Sequence, residues 1–306
     1  MRRAMITLLG VLVVLALVIG VRHWWFSTSD TLTEPPAGTL RVASWNVHYI
    51  LVAQPEHRWG RTAWGARKAP MDAVFKRLEA DLIAFQEMES FARGNQDNEN
   101  LAREWLLAEN PAYRAAAIGP WRDFPSTQPI FYRTDRLTLE DQGWFFFSET
   151  PDVIYSRTFD GSFPAFASWA EFTEIGSGAR FRVINLHFDA FSRENRRRSA
   201  ALVAERAAPW VAAGERVVVM GDLNALGGSG LHETLEGAGV AFLDVKGATI
   251  HFDRGLHLFG AIDHVALSPG VAAEGPVQVL QWRPGRVWPT DHYPIVVDVT
   301  FDDRAN

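Results

Sequence analysis

The residues with the clearest chemical potential stand where apolar runs end. The segment VVVMGDLNALGGSG runs from Val217 to Gly230, and its first four residues lead directly to a carboxylate, Asp222, and a carboxamide, Asn224. Such groups can bind a metal ion, hold a phosphate or move a proton. Polar side chains end or closely follow five other apolar runs, and these residues are Asn46, Glu87, Asn185, His187, Asp189, Asp263, Asp291 and His292.

Each of these residues has an ordinary structural explanation when it is taken alone. Asn46 can cap a turn, Asp222 can accept hydrogen bonds from loop amides, and His187 can be a satisfied core histidine. The explanation weakens for the whole set, because buried polar groups are costly unless they are paired. The chain has no cysteine, and oxygen ligands with imidazoles suit Mg²⁺, Mn²⁺ or Ca²⁺ better than structural zinc.

Composition limits the classes of function. The 306 residues are 47% hydrophobic and carry a formal net charge of -6, which becomes -8 when the N-terminal Arg2 and Arg3 are left out. A chain with this negative net charge is not expected to bind polyphosphates tightly and without specificity. An enzyme that handles one phosphate through a metal ion remains compatible with this charge.

The N-terminal segment is separate in character from the rest. Ala4–Val21 contains no charged residue, follows Arg2 and Arg3, and precedes Trp24 and Trp25, which suit a membrane interface. No clear small-x-small cleavage site follows, so residues 1–26 are predicted to be a retained signal-anchor. This places the domain outside the bacterial inner membrane, although Arg22 weakens the charge asymmetry. A cleaved signal and a secreted or periplasmic protein are the alternative.

Beyond this segment we expect a polar linker at residues 27–38 and one domain at residues 39–306. Met71, Val74, Phe75 and Leu78 follow the i, i+3, i+4, i+7 pattern of an amphipathic helix. A second helix is predicted at Ser199–Ala212. Strands are predicted at Leu40–Asn46, Asp81–Glu87, Pro129–Arg133, Gly143–Phe147, Ser168–Thr173, Phe181–His187, Arg216–Met220, Ala261–Ser268 and Pro294–Thr300. No regular alternation of strands and helices is present, which favours two packed sheets covered by helices.

Six short motifs occur in a characteristic order: SWN, FQE, NLHFD, GDLN, IDHV and TDHYP. Together they resemble the endonuclease/exonuclease/phosphatase superfamily, which includes deoxyribonuclease I, abasic-site endonucleases, inositol phosphate 5-phosphatases and neutral sphingomyelinases. The resemblance covers about residues 39–301. Within the superfamily, the sequence is similar to a membrane-anchored bacterial branch. It implies an α/β fold, a four-layered sandwich of two mixed sheets flanked by helices. The site is then expected where the strand ends of both sheets converge.

The resemblance also implies roles for matching positions. Glu87 corresponds to the principal metal carboxylate, Asn46 to the asparagine beside it, and Asp291 to the aspartate that contacts a metal or its water shell. The implied cofactor is Mg²⁺, with Mn²⁺ or Ca²⁺ as alternatives. Asn185 belongs to the motif that contains the site histidine and is expected to contact substrate.

The catalytic roles follow in the same way. Asp222 corresponds to the residue that orients or deprotonates the attacking water, and Asn224 to the one that contacts the scissile phosphate. His187 is expected to stabilise the phosphate oxygens or to protonate the leaving group. Asp263 is expected to orient His292. Alternation along a strand would place Asp222 and Asn224 on one side, facing one phosphorus atom.

The predicted function is therefore a metal-dependent phosphoesterase, a monomer tethered to the membrane, that cleaves a P–O bond by in-line attack of water. A noncatalytic membrane-tethered binding module on the same fold is the alternative. A zinc metalloprotease or amidase is disfavoured because no H-E-x-x-H motif is present. The substrate class stays open between nucleic acid, a phospholipid head group and a small phosphoester. Thr290 replaces the serine usual in the family, a mild change that keeps the hydroxyl. The absence of a match for the repair-enzyme tyrosine and the acidic composition weigh against DNA repair.

Overall fold

The computed structural model describes residues 2–91, 100–160 and 163–302. The helices in these residues are α1 (Arg2–Trp25), α2 (Arg61–Leu78), α3 (Leu101–Glu109), α4 (Arg193–Ala212) and α5 (Gly230–Glu236). The strands of one large sheet are β1 (Leu40–Asn46), β3 (Leu82–Gln86), β5 (Tyr113–Ala116), β6 (Ile130–Arg133), β13 (Val271–Ala273), β14 (Gln278–Val279) and β15 (Ile295–Phe301). The strands of the other are β7 (Leu137–Phe146), β8 (Phe166–Glu174), β9 (Arg180–His187), β10 (Val217–Asp222), β11 (Ala241–Phe242) and β12 (Asp263–Leu267). A small pair joins β2 (Ile50–Leu51) to β4 (Ser90–Phe91).

Both large sheets have the same arrangement at their centre. In the first, β1 lies between β3, which runs parallel to it, and β15, which runs antiparallel. In the second, β10 lies between the parallel β9 and the antiparallel β12. The end of each parallel strand and the start of each antiparallel strand therefore meet at one edge of the sheet. Polar residues that sit far apart in the sequence come together there.

The two sheets pack face to face, and each is covered by helices on its other side. The core between the sheets contains apolar residues of both, among them Val42, Ala84, Val183 and Met220. A second core packs α2 and α3 on the first sheet, and a third packs α4 and α5 on the second. The predicted four-layered α/β sandwich is confirmed.

Most strands lie where the apolar runs predicted them. The β8–β9 hairpin is present, and β1 matches its predicted bounds. Other elements differ: β7 begins six residues before the predicted Gly143, and α4 begins at Arg193 with Ser192 as its N-cap. The polar start of α4 carries no apolar periodicity, and capping therefore decided where the helix begins.

The segment predicted as a linker is attached to the domain. The Thr28 amide donates to Gln281 Oε1 (2.6 Å), the Thr33 amide donates to Gln278 Oε1 (2.8 Å), and the Thr33 carbonyl accepts a bond from Arg41. Leu32 packs against the core beneath α2. The end of α1 is therefore tied closely to the edge of the first sheet.

Candidate active site

The predicted polar residues converge at the edge shared by both sheets. Asn46 ends β1 and Glu87 directly follows β3, while His187 ends β9 and Asp222 ends β10. The backbone register pairs Asp222 with His187 on one side and with Asp263 on the other. His292 precedes β15 and pairs with Ile250 in an isolated bridge. The structure thus brings groups from all six motifs into one cluster.

Asp222 Oδ2 is the centre of this cluster. It accepts a hydrogen bond from Asn46 Nδ2 at 3.1 Å. The Nε2 atoms of His187 and His292 both lie 3.8 Å from it. Burial, together with the neighbouring charge of Asp263, raises the pKa of Asp222 to about 6, against the opposing effect of the two histidines. A carboxylate with a pKa near neutrality, between two imidazoles, is suited to orienting a water molecule and exchanging a proton with it.

Gly221 and Asn224 shape the turn that holds Asp222. Gly221 has a φ of 145°, and a Cβ at this position would overlap the carbonyl oxygen of Leu186 on β9. Asn224 has a φ of 47°, and its amide donates to Asp222 Oδ1 at 2.8 Å. Strand alternation therefore does not relate Asp222 to Asn224, because the chain leaves the extended conformation after Asp222. Instead, the turn holds the Asp222 carboxylate in place through the backbone amide of Asn224.

Asp263 and His292 form a buried pair. Asp263 Oδ2 lies 3.0 Å from His292 Nδ1, which leaves Nε2 directed toward Asp222. Burial lowers the pKa of His292, but Asp263, with Asp222 and Asp291, outweighs it and raises that pKa well above its ordinary value. Asp263 thus orients the His292 ring and favours its positively charged form.

Glu87 lies on the other side of Asp222, next to Asn46. Asn46 Nδ2 donates to Glu87 Oε1 at 3.0 Å, and His187 Nε2 lies 3.6 Å from the same oxygen. Burial raises the pKa of Glu87, but the nearby His187 and His48 and the Asn46 bond lower it overall. Glu87 is therefore an anion, and its backbone φ of 54° departs from the strand and turns the residue at this point.

The donor set fits a divalent cation. Glu87 Oε2 and Asp263 Oδ1 are buried and accept no hydrogen bond from any residue that the structure describes. Buried carboxylate oxygens without a partner are costly, and a hard cation would satisfy them. Among the described residues, the ligand atoms of Asp222, Asp263 and His292 also lie within 4.8 Å of one another. Because Asp263 and His292 already bond to each other, the oxygens of Glu87 are the more available ligands.

An excess of negative charge surrounds the same place. Burial and the charge of Glu87 raise the pKa of Glu89 to about 7. Burial and the charge of Asp291 raise the pKa of Asp253 to about 6. Burial is the larger cause of both shifts, and the neighbouring carboxylates add to it, so several carboxyl groups lie close together in this region. A bound cation would balance their negative charge.

Three residues near the site were missed in the sequence. Arg67 is buried and donates from Nε to the Pro289 carbonyl (2.7 Å) and from Nη2 to the Val47 carbonyl (2.9 Å). It joins the end of β1 to the segment before His292. Arg67 lies four residues before Met71, so its place on the buried stripe of α2 was a usable signal. His48 and Glu89 lie two residues after the motif residues Asn46 and Glu87, and both interact electrostatically with Glu87.

Some predicted site residues have structural partners instead. The Asn185 amide donates to the carbonyls of Phe85 (2.8 Å) and Gln128 (3.2 Å), so no amide proton remains for the predicted contact with substrate. Its Oδ1 accepts a bond from Gln86 at 2.7 Å. Asn185 therefore joins the two sheets beneath the site. Asp189 Oδ1 accepts the Phe191 and Ser192 amides and shapes the entry to α4.

The remaining predicted residues are close to the cluster or packed elsewhere. Asn224 Nδ2 donates to the Phe188 carbonyl, and the half-buried Asp291 acts electrostatically on His292 and His48. His264 follows Asp263 on β12, and its Nε2 lies 2.9 Å from the Ala225 carbonyl oxygen. Trp59 is buried beside His48, which stacks on it at 3.6 Å between ring centroids.

Comparisons with known proteins identify the family of the chain. A model of the endonuclease/exonuclease/phosphatase family matches residues 43–292, which span all the site residues. The chain belongs to this family. No curated protein sequence matches the chain.

Solved structures of the same fold come from bacteria and animals. A family protein from Bacteroides thetaiotaomicron has 24% identity and a TM-score of 0.72, with 89% of this chain and 100% of that one covered. A mannosyl-6-phosphatase from Bacteroides thetaiotaomicron has 25% identity and a TM-score of 0.71, with 86% and 100% covered. TDP2 from D. rerio, solved with a single-strand DNA product, has 14% identity and a TM-score of 0.58, with 86% and 99% covered. The fold of this family thus accommodates both phosphatases and proteins that bind nucleic acid.

Proposed function

We propose that this protein is a divalent-metal-dependent phosphoesterase that hydrolyses a P–O bond by in-line attack of water. The observation that carries the proposal is the position of Asp222 Oδ2, which lies within 4 Å of Asn46, His187 and His292. Family membership supports the reaction class. The alternative, a noncatalytic binding module, leaves unexplained why two imidazoles converge with the half-buried carboxylate of Glu87 and the buried ones of Asp222 and Asp263.

The protein groups divide into two sets. Glu87, with Asn46 and Asp291 beside it, would hold Mg²⁺, and Mn²⁺ or Ca²⁺ would suit the same oxygens. When bound, the cation supplies Lewis-acid stabilisation of the charge that develops on the phosphate oxygens. His187 is the most exposed imidazole of the cluster, at 27% for its side chain, and it is placed to donate to a phosphate oxygen or the leaving group.

The second set handles the proton. Asp222 accepts a hydrogen bond from the attacking water and aligns it with the phosphorus atom. His292 holds a positive charge beside Asp222, and Asp263 keeps that ring in one orientation. Asn224 is proposed to contact the scissile phosphate after local rotation of its amide, which now donates to the Phe188 carbonyl.

The charge around the site favours a small phosphoester or a single head group over a long nucleic acid. Glu89 and Asp253 add negative charge close to Glu87 and Asp291. A polyanion would bring further phosphates against these groups at an electrostatic cost. The structural similarity to a mannosyl-6-phosphatase supports a phosphate monoester as one candidate.

We further propose that α1 anchors the protein in the bacterial inner membrane, with a monomeric catalytic domain outside the cytoplasm. Met5–Trp25 is long and apolar enough to cross a membrane, with a mean hydropathy of 2.6, and its large apolar side chains are exposed. Contacts of Arg22 and Phe26 with the domain favour retention of this helix over its cleavage as a signal.

The test is hydrolysis of bis-p-nitrophenyl phosphate and p-nitrophenyl phosphate by the full-length protein in detergent with Mg²⁺. Activity should disappear in EDTA and return with added Mg²⁺. Glu87→Gln should lower turnover at least 100-fold at low millimolar Mg²⁺, because it removes a charged ligand oxygen. The exposed Glu140→Gln on β7 is the matched control and should be active. Full activity in EDTA, or in Glu87→Gln, would contradict the assignment.

A further inference from the structure

A cluster of exposed aromatic side chains surrounds the end of the apolar helix. Trp24 and Trp25 are more than 70% exposed at the end of α1. Phe252 and Phe259 are 38% and 44% exposed, and their rings lie 6.2 Å apart between centroids. The last two belong to residues 251–260, a segment named here the aromatic loop.

The aromatic loop is bonded directly to the end of α1. Arg22 Nε donates to the Leu258 carbonyl at 2.6 Å, and its guanidinium lies 5.6 Å from the centroid of the Phe259 ring. His23 stacks on His257 at 4.5 Å between ring centroids. The helix end and the loop are therefore held together by residues that lie more than 230 positions apart in the sequence.

The same loop reaches the candidate active site. The His251 amide donates to the Asp291 carbonyl at 2.8 Å. His257 lies between the helix end and the site, with Nδ1 2.8 Å from Ser27 Oγ and Nε2 3.1 Å from the Tyr293 hydroxyl. Tyr293 follows His292 in the chain. Through these bonds, Trp25 and His292 lie no more than about 30 Å apart by chain and side-chain lengths.

We propose that the end of α1 and the aromatic loop form one membrane-contact surface, which holds the active site close to the outer face of the bilayer. The inference rests on the anchoring role proposed for α1. The exposed aromatic side chains adjoin the end of the apolar helix α1, and this identifies the lipid bilayer as the partner of the surface. Tryptophan and phenylalanine side chains beside a spanning helix are positioned for the interface of the bilayer. Because the juxtamembrane segment is bonded to the domain, the anchor sets the orientation of the domain as well as its distance from the membrane.

The absence of cysteine allows a direct test on the full-length chain. Single cysteines would replace Phe259, Phe252, Trp25 or Ile175, each labelled with bimane and reconstituted in phosphatidylcholine vesicles. Ile175 is the control, since it is 53% exposed in the β8–β9 turn, at the end of β9 opposite His187. Brominated phosphatidylcholine should quench bimane at positions 259 and 252 to at least half the extent seen at position 25, and should leave position 175 unquenched.

Quenching at position 25 without quenching at 259 and 252 would overturn the proposal, because the loop would then stand clear of the bilayer. Equal quenching at position 175 would overturn it as well, because contact would not be confined to this surface. Hydrolysis of soluble bis-p-nitrophenyl phosphate by the same samples is the separate readout. Activity without loop quenching would contradict the membrane contact alone, and quenching without activity would contradict the phosphoesterase assignment alone.

Discussion

The Asp263–His292 pair gives the sharpest test of the proposed chemistry. Asp263→Asn keeps the shape of the side chain but removes its charge, and it allows the imidazole to take the wrong tautomer. His292→Ala removes the ring itself. We expect either change to lower turnover of bis-p-nitrophenyl phosphate while the protein still folds.

The geometry bounds the size of the effect. Two unit charges separated by the 3.0 Å between His292 Nδ1 and Asp263 Oδ2 interact by about 5–6 kcal/mol at an effective dielectric constant near 20. A hydrogen bond to a charged group contributes about 1.5–3 kcal/mol net. At 1.36 kcal/mol per factor of ten, energies of about 1.5–6 kcal/mol correspond to losses of roughly 10-fold to 10⁴-fold. The usual contribution of a positioned acid–base group, roughly 10²–10⁴-fold, lies within these bounds and is the loss we expect.

The assay is the ratio of kcat for the two single variants and the double variant at saturating Mg²⁺. Residues that act as one unit lose their contribution once, so the double variant should be little worse than either single variant. His57→Ala, an exposed loop position, is the control for loss of an imidazole and should keep full activity. Losses that multiply in the double variant would show that the two residues act independently and would refute the pairing.

Three further predictions concern stability and topology. The pKa of Asp222 is raised from 3.8 to about 6, so its ionisation costs folding stability as the pH rises through that range. Asp222→Asn should therefore abolish turnover. In EDTA it should nevertheless raise the free energy of unfolding by up to about 3 kcal/mol at pH 8 and change it little at pH 4. A lower free energy of unfolding for this variant at pH 8 would contradict the prediction. Gly221→Ala should cost roughly 2–4 kcal/mol in chemical denaturation because of the overlap with Leu186. Gly228→Ala meets nothing within 4 Å and should cost at least 1 kcal/mol less, so equal losses would refute the steric argument. Alkaline phosphatase fused after Asn306 should be active in bacterial cells, and a silent fusion beside an active cytoplasmic reporter would reverse the topology.

The sequence by itself determined the fold class and most of the cluster. Apolar runs located the central strands, since a buried strand requires a continuous apolar segment. The motifs at the ends of those runs named Glu87, His187, Asp222 and His292, all of which the structure brings into one cluster. A short-range sequence pattern was enough to locate these site residues, because each motif joins the end of a strand to the turn that follows it.

Only the tertiary structure decided which polar group has which partner. Asn185 and His187 lie two residues apart on one strand, yet one joins the two sheets and the other faces Glu87. The sequence also did not predict that residues 22–33 pack on the domain. A polar composition predicts a linker whether or not the backbone of the segment forms hydrogen bonds with the rest of the chain. Those partners, among them Gln278 and Gln281, are more than 240 residues away in the chain. Such pairings depend on long-range packing, which no local pattern encodes.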